Sequence, residues 1–252
     1  MNILVSNDDG IDSLGIVSLV RALKPLGKVT VVAPDRQQSA VGHSLTFSSP
    51  LRATPFHRDG EMLGYSINGT PCDCVKLALS TLLDEKPDMV ISGINHGANT
   101  AINILYSGTV SAATEGMLSG IPSMAISVNS HDNNADFSSA MHYSYLLAKN
   151  LLNLNMPKDT FLNVNIPALP LESIKGIKTV EHNNSLWKDE YIERFDPFGQ
   201  KYYWFSGKYE VFSSIVEVDD ILLAEDYVTI TPVQYNLTNK VFLKNIKHLE
   251  EL

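Results

Sequence analysis

With 252 residues, 44% hydrophobic and 19% charged, the chain has the apolar material for one large domain, or a domain with an extension, and an extended disordered protein is excluded. A formal charge of −9 without any Lys/Arg-rich run argues against a nucleic-acid polymer as the main partner. A small phosphorylated ligand stays open, because a divalent cation inverts the sign of a site locally. No apolar run reaches the ~18 residues of a membrane span, and Met1 leads into an apolar strand without a basic leader, so the expected location is the cytoplasm. Cys72 and Cys74 are too few for a disulfide framework, and they read as buried thiols.

In chain order, Ile3–Val5 is a short β-branched run. Ile16, Leu19, Val20 and Leu23 then recur at helical spacing until Gly27, and Val29–Val32 forms the next strand. Strand, helix and strand within so few residues predict a βαβ unit with a parallel sheet and right-handed crossover. A polar, turn-rich stretch follows from Asp35 to about Gly64. Thr70-Pro71-Cys72-Asp73 has an N-cap hydroxyl, Pro at the first helical position and an acid at the third, a capping box ahead of a helix with Val75, Leu79 and Leu82 on one face. Met89–Ser92 and Ser123–Val128 read as buried strands flanking a helix with Val110, Ala113, Met117 and Leu118 that ends near Gly120. A helix from about Tyr145 to Leu154 precedes the strand Phe161–Ile166. Beyond Pro167 aromatic and β-branched residues gather in Lys201–Phe205, Glu210–Val218 and Tyr227–Thr231, which predict hairpins or an arm. The expected architecture is a Rossmann-like, doubly wound α/β domain with a mostly parallel sheet over residues 1–170. A β-rich extension over 171–252 would follow it.

Ligands of open α/β sheets sit beyond the carboxyl ends of the strands. Three polar clusters follow strands and so share that rim: Ser6-Asn7-Asp8-Asp9-Gly10, Asp35–Ser39, and Ser92-Gly93-Ile94-Asn95-His96-Gly97. Adjacent carboxylates at Asp8 and Asp9 supply hard oxygen ligands for Mg²⁺ or Mn²⁺, and Gly10 permits the tight turn after them. Ser39 and Asn95 are neutral oxygens suited to completing such a shell. Tyr106-Ser107-Gly108-Thr109-Val110 opens a helix with small and hydroxyl residues, an anion-binding arrangement that lacks the Gly-Lys-Ser/Thr of a Walker loop. His43 and His96 lie in these loops without metal-ligand spacing and are candidates for contacting substrate or moving a proton. Trp187, Tyr202, Tyr203 and Trp204 fit a base-stacking role less well than a core or interface role in the extension.

Together these clusters resemble the SurE family of metal-dependent 5'/3'-nucleotidases. The likeness runs through Ile3–Ile11, Val31–Ser39, Val41-Gly42-His43, Gly69–Lys76, Ser92–Asn99, Tyr106–Val110, Tyr202-Tyr203-Trp204 and Asp226–Pro232, in the family's order. Ser6 and Asp226 stand where the family more often has Thr and Gly. The resemblance implies one divalent metal ion, Mg or Mn, per subunit on Asp8, Asp9, Ser39 and Asn95. It implies phosphate at Ser107, Gly108 and Thr109 with Asn99 nearby, and a dimer or tetramer assembled through the extension. Hydrolysis of nucleoside 5'- and possibly 3'-monophosphates is the activity it implies, with Asp8 or Asp9 accepting a proton from water. An aspartyl-phosphate phosphatase and a non-catalytic nucleotide sensor would use the same residues.

Overall fold

The computed structural model describes residues 1–132, 134–210 and 217–252. The elements in chain order are β1 (Asn2–Ser6), α1 (Leu14–Leu23), β2 (Lys28–Pro34), β3 (Ala53–Arg58), β4 (Glu61–Ile67), α2 (Pro71–Leu77), β5 (Met89–His96) and α3 (Gly108–Leu118). They continue as β6 (Ser123–Asn129), α4 (Ser138–Leu151), β7 (Thr160–Pro167), β8 (Ile177–Thr179), β9 (Leu186–Phe195), β10 (Lys201–Glu210), α5 (Asp219–Ala224), β11 (Val228–Gln234) and α6 (Lys240–Asn245).

Nine strands form one sheet in the order β3-β4-β2-β1-β5-β6-β7-β11-β8, parallel throughout except for the β3/β4 and β7/β11 pairs. Alternation along the strands sends side chains to two helical layers. Ile3 and Val5 of β1 pack with Ile16, Leu19 and Leu23 of α1 and with Ala140, Tyr143 and Leu151 of α4. Leu4, between them, packs on the opposite face with Cys74, Val75 and Ala78. Each aliphatic side chain so buried contributes about 1.5–3 kcal/mol. The predicted capping box is present, Thr70 and Asp73 exchanging both hydrogen bonds at α2, and the structure adds a cap at α1, where the Ser13 hydroxyl accepts from Ile16 N. Both cysteines are free and buried, as their composition predicts.

Three elements depart from the sequence reading. The turn-rich stretch holds the hairpin β3–β4, whose second strand docks parallel to β2. Tyr227–Thr231, expected in a hairpin or arm, instead supplies β11, which pairs antiparallel with β7 through Ile230↔Val164 and buries Val228 and Ile230 in the main core. The stand-off hairpin is β9–β10, paired from Leu186↔Glu210 to Phe195↔Lys201. The helix expected to begin near Tyr145 starts at Ser138 and gives way to a 3₁₀ turn at Leu152. Of the strand expected over Glu210–Val218, residues 211–216 lie outside the described residues.

Strand order reverses its direction of growth at β1: the chain moves outward to β2 on one side and returns to β5 on the other. A crevice opens at the carboxyl ends of strands at such a point. The loop after β1 carries Asp8 and Asp9 into it, and the carboxyl end of β5 carries Asn95.

Candidate active site

Asn7, fully buried, folds the loop after β1 by donating its side-chain amide to Gly10 O at 2.9 Å and to Ser13 Oγ at 2.8 Å. Gly10 turns the chain with φ of 96°, a conformation that a side chain would strain. The loop thus aims Asp8 and Asp9 into a cavity of about 670 Å³, whose walls also include Ser39, Asn95, Asn99 and Ser107. Gln38 N–H donates to Asp8 O at 2.7 Å and fastens the loop of Ser39 beside the carboxylates. Asn95 uses its amide N–H₂ on Gly97 O at 2.7 Å, which leaves its side-chain oxygen as the group available to a cation.

Asp8 lies against the start of α3. The Thr109 hydroxyl donates to its Oδ1, and a Cβ at Gly108 would come within 2.7 Å of the Asp8 Cβ, so only glycine lets the helix approach this closely. Burial pushes the Asp8 carboxyl up to about 6; the Thr109 hydroxyl opposes this and the neighbouring charge of Asp9 adds to it. Asp9 is also raised by burial, partly offset by the His96 N–H that donates to its Oδ2 at 3.1 Å. Among the described residues no Lys or Arg pairs with either carboxylate. Two adjacent, desolvated carboxylates without a counter-charge, beside the neutral oxygens of Ser39 and Asn95, fit a hard divalent cation.

At the N-terminus of α3 the Ser107 hydroxyl accepts from Val110 N, capping the helix where its dipole is positive. Ser107 faces the cavity, whereas Gly108 and Thr109 are buried behind Asp8 and are not part of its wall. Asn99 faces the cavity while donating its side-chain amide to Ser127 Oγ at 2.8 Å. Its backbone N–H donates to Asn165 Oδ1 at 2.7 Å, and its carbonyl accepts from Asn163 at 2.7 Å.

His43 sits elsewhere. It is not part of the cavity wall; its Nε2 meets Glu115 Oε1 at 2.7 Å, and Lys76 Nζ donates to the other oxygen at 3.2 Å. Burial pushes Glu115 up, but the His43 and Lys76 contacts outweigh it and hold the carboxyl below its ordinary value. Donor atoms of His43, Cys72 and Glu115 lie within 4.8 Å of one another, a group that could hold a metal ion. Both Glu115 oxygens are already engaged, however, and burial pushes the Cys72 thiol up to about 12, so the arrangement is satisfied as a tether between the 40s loop and α3. His96 lines the cavity with its ring edge-on to Phe137, centroids 5.0 Å apart.

Several participants escape sequence reasoning. Glu115 lies mid-helix and looks like a surface residue until the loop folds over it. Asn163 and Asn165 do carry a signal: polar amides at alternating positions in an otherwise apolar strand. Trp187, read as a core or interface residue, is on the cavity wall, as are Asn103, Tyr106 and His131.

The family described as "Survival protein SurE" matches residues 3–189. The 5'-nucleotidase SurE of Chlorobium chlorochromatii is 44% identical over 98% of this chain and 90% of its own length. That of Geobacter sulfurreducens is 44% identical over 95% of this chain and 90% of its own length. The crystal structure of the SurE protein from Aquifex aeolicus superposes with a TM-score of 0.86 at 42% identity, covering 99% of this chain and 100% of that one. Sequence, fold and the residues on the rim agree: the chain belongs to the SurE family.

Proposed function

We propose that this protein is a divalent-metal-dependent 5'-nucleotidase, hydrolysing nucleoside 5'-monophosphates, and 3'-monophosphates at the same site, to nucleoside and phosphate. The observation that carries the reading is the uncompensated Asp8-Asp9 pair packed against the N-terminus of α3 in a single cavity. The names of the relatives above, 5'-nucleotidase SurE, support the same chemistry.

Asp8, Asp9, Ser39 and Asn95 would hold one cation per subunit, Mg²⁺ or Mn²⁺ on the hardness of their oxygens. Bound there, the cation supplies Lewis-acid stabilisation of charge on the phosphoryl group and lowers the pKa of water. Ser107, at the positive end of α3, receives the phosphate and opposes charge growing on its oxygens. The Thr109 hydroxyl is committed to Asp8, so it orients that carboxylate rather than the phosphate. Asn99 stiffens the phosphate side through Ser127, Asn163 and Asn165. Asp8 or Asp9 would take the proton of the attacking water. His43 acts from behind, by fixing the loop that carries Ser39.

Residues 1–170 would form the catalytic domain. Within 171–252 the β9–β10 hairpin is exposed along its length, with Tyr191, Phe195, Trp204 and Phe205 each more than half exposed, which supports a homo-oligomer, dimer or tetramer, built on it. No described helix is long and apolar enough to cross a membrane, in keeping with work in the cytoplasm on small phosphate esters.

Phosphate release from nucleoside 5'- and 3'-monophosphates, with Mg²⁺ or Mn²⁺ and again with EDTA, tests the reading. Metal-dependent release is expected. Nucleotide binding without release under any metal would make the protein a sensor, and a trapped phosphoaspartate would make it an aspartyl-phosphate enzyme.

A further inference from the structure

The cavity of about 670 Å³ is far roomier than a phosphate needs, and its wall includes two aromatic side chains that the phosphate chemistry does not use, Tyr106 and Trp187. Both present open surface, 57% and 43% exposed. Trp187 is the second residue of β9, yet it is not loose. Its indole N–H donates to Asn103 Oδ1 at 2.9 Å. Its ring packs edge-on to its cross-strand partner Tyr209, with centroids 5.5 Å apart.

Those two supports are themselves braced on α5. The Tyr209 hydroxyl donates to Asp220 Oδ2 at 2.7 Å. Fully buried Asp219 accepts from Ala101 N at 2.9 Å, at the head of the turn Ala101–Leu105 that carries Asn103. Adjacent residues of one short helix therefore fix the indole from behind and fix its hydrogen-bond acceptor. A large aromatic held on two sides and left open towards a cavity is pre-organised for a flat ligand.

We propose that Trp187 is the platform on which the nucleobase of the substrate stacks, with Tyr106 beside it. The inference rests on the nucleotidase reading and adds the part of the substrate that is recognised. The indole N–H, its one polar group, is already used by Asn103, so Trp187 offers a ring face and no hydrogen-bonding edge. Recognition is then tolerant of base identity, with purines ahead of pyrimidines because they cover more of the ring. The ligand class is a nucleoside monophosphate, in preference to a sugar phosphate of equal charge.

The test compares AMP with ribose 5-phosphate, which keeps the phosphate and sugar and lacks the base, in wild type, Trp187→Ala and Trp187→Phe. Loss of one stacking contact raises KM for AMP by about 5- to 100-fold in Trp187→Ala, with kcat changed little, since binding common to ground and transition states is what is lost. Ribose 5-phosphate shifts less than about twofold, and Trp187→Phe retains most of the AMP affinity. An equal loss for both substrates, or no loss for AMP, overturns the proposal. A second readout does not depend on turnover: the chain has two tryptophans, so Trp204→Phe leaves Trp187 as the sole indole emitter. AMP with Mg²⁺ quenches that emission and ribose 5-phosphate does not; quenching by both or by neither refutes the platform. If wild type hydrolyses neither compound, the nucleotidase reading fails by itself and the quenching still decides this one.

Discussion

Replacing Asp73 with alanine removes one carboxylate that fastens two segments. Its oxygens accept from Thr70 N–H at 2.9 Å, from Thr46 N–H at 3.1 Å and from the Thr46 hydroxyl at 2.6 Å. The first bond closes the capping box of α2. The other two hold the end of the loop that also carries Ser39 and His43. A lost cap costs about 0.5–2 kcal/mol, and each further hydrogen bond about 1 kcal/mol net, more where a charge is involved. Thr46 is half-buried and recovers some bonding from water, so the total is about 3 kcal/mol. In a chain of this size each kcal/mol moves Tm by about 2–4 °C, so a calorimetric scan should show Tm lower by about 6–12 °C. The pH dependence gives a second check. Burial pushes the Asp73 carboxyl up, but the hydrogen bonds from Thr46 and Thr70 outweigh it and leave the group below its ordinary value. A depressed folded-state pKa means the stabilisation is complete above the unfolded carboxylate value near about 3.9 and is lost as pH falls through the lower folded value. The Tm gap between wild type and Asp73→Asn therefore narrows below about pH 4. A Tm loss under 2 °C for Asp73→Ala, or a gap constant down to pH 3, would refute the reasoning.

Other substitutions probe the site itself. Gly108→Ala would put a Cβ 2.7 Å from the Asp8 Cβ and 2.9 Å from Pro71 Cγ; the displaced carboxylate should lower kcat about 100-fold, and a change under threefold would show that the helix approach does not matter. Thr109→Val takes the hydroxyl from buried Asp8, so kcat/KM should fall about tenfold or more, with Thr109→Ser restoring most of it; equal activity of the Val and Ser variants would dismiss the contact. His43→Gln loosens the Glu115 tether, so Tm should fall by about 2–5 °C while KM for nucleotide stays within about twofold. A tenfold rise in that KM would return His43 to the substrate-binding group.

The parallel core was legible because β1, β2, β5, β6 and β7 are apolar runs separated by helical periodicity, and the capping box at Thr70 fixed the start of α2. The hairpin β3–β4 was not: β3 is an edge strand with Thr54, Pro55 and His57 exposed, and it carries little of the pattern that burial imposes. The Tyr227–Thr231 run was legible as a strand but not as a neighbour of β7, since pairing between distant segments leaves no local mark. Asp226, where the family resemblance leads one to expect Gly, adopts the left-handed φ of 70° that glycine favours, with Lys175 paired to its carboxylate at 3.5 Å. In the site, Asp8, Asp9, Ser39, Asn95 and Ser107 could be named because each follows a strand or opens a helix, Asn99 came only from the family resemblance, and the structure gathers all six round one cavity. Glu115 becomes visible only when loop and helix are brought together, whereas Asn163 and Trp187 carry a local signal whose use only the assembled sheet and hairpin reveal.

The most direct test of the central claim is the turnover of AMP by Asp9→Asn at saturating Mn²⁺, set against wild type in the same buffer. Neutralising one of two adjacent proposed ligands that no Lys or Arg among the described residues compensates should reduce kcat/KM by more than about 100-fold while the fold and the Tm are kept. Turnover at the wild-type rate would show that the chemistry happens somewhere other than the Asp8-Asp9 rim.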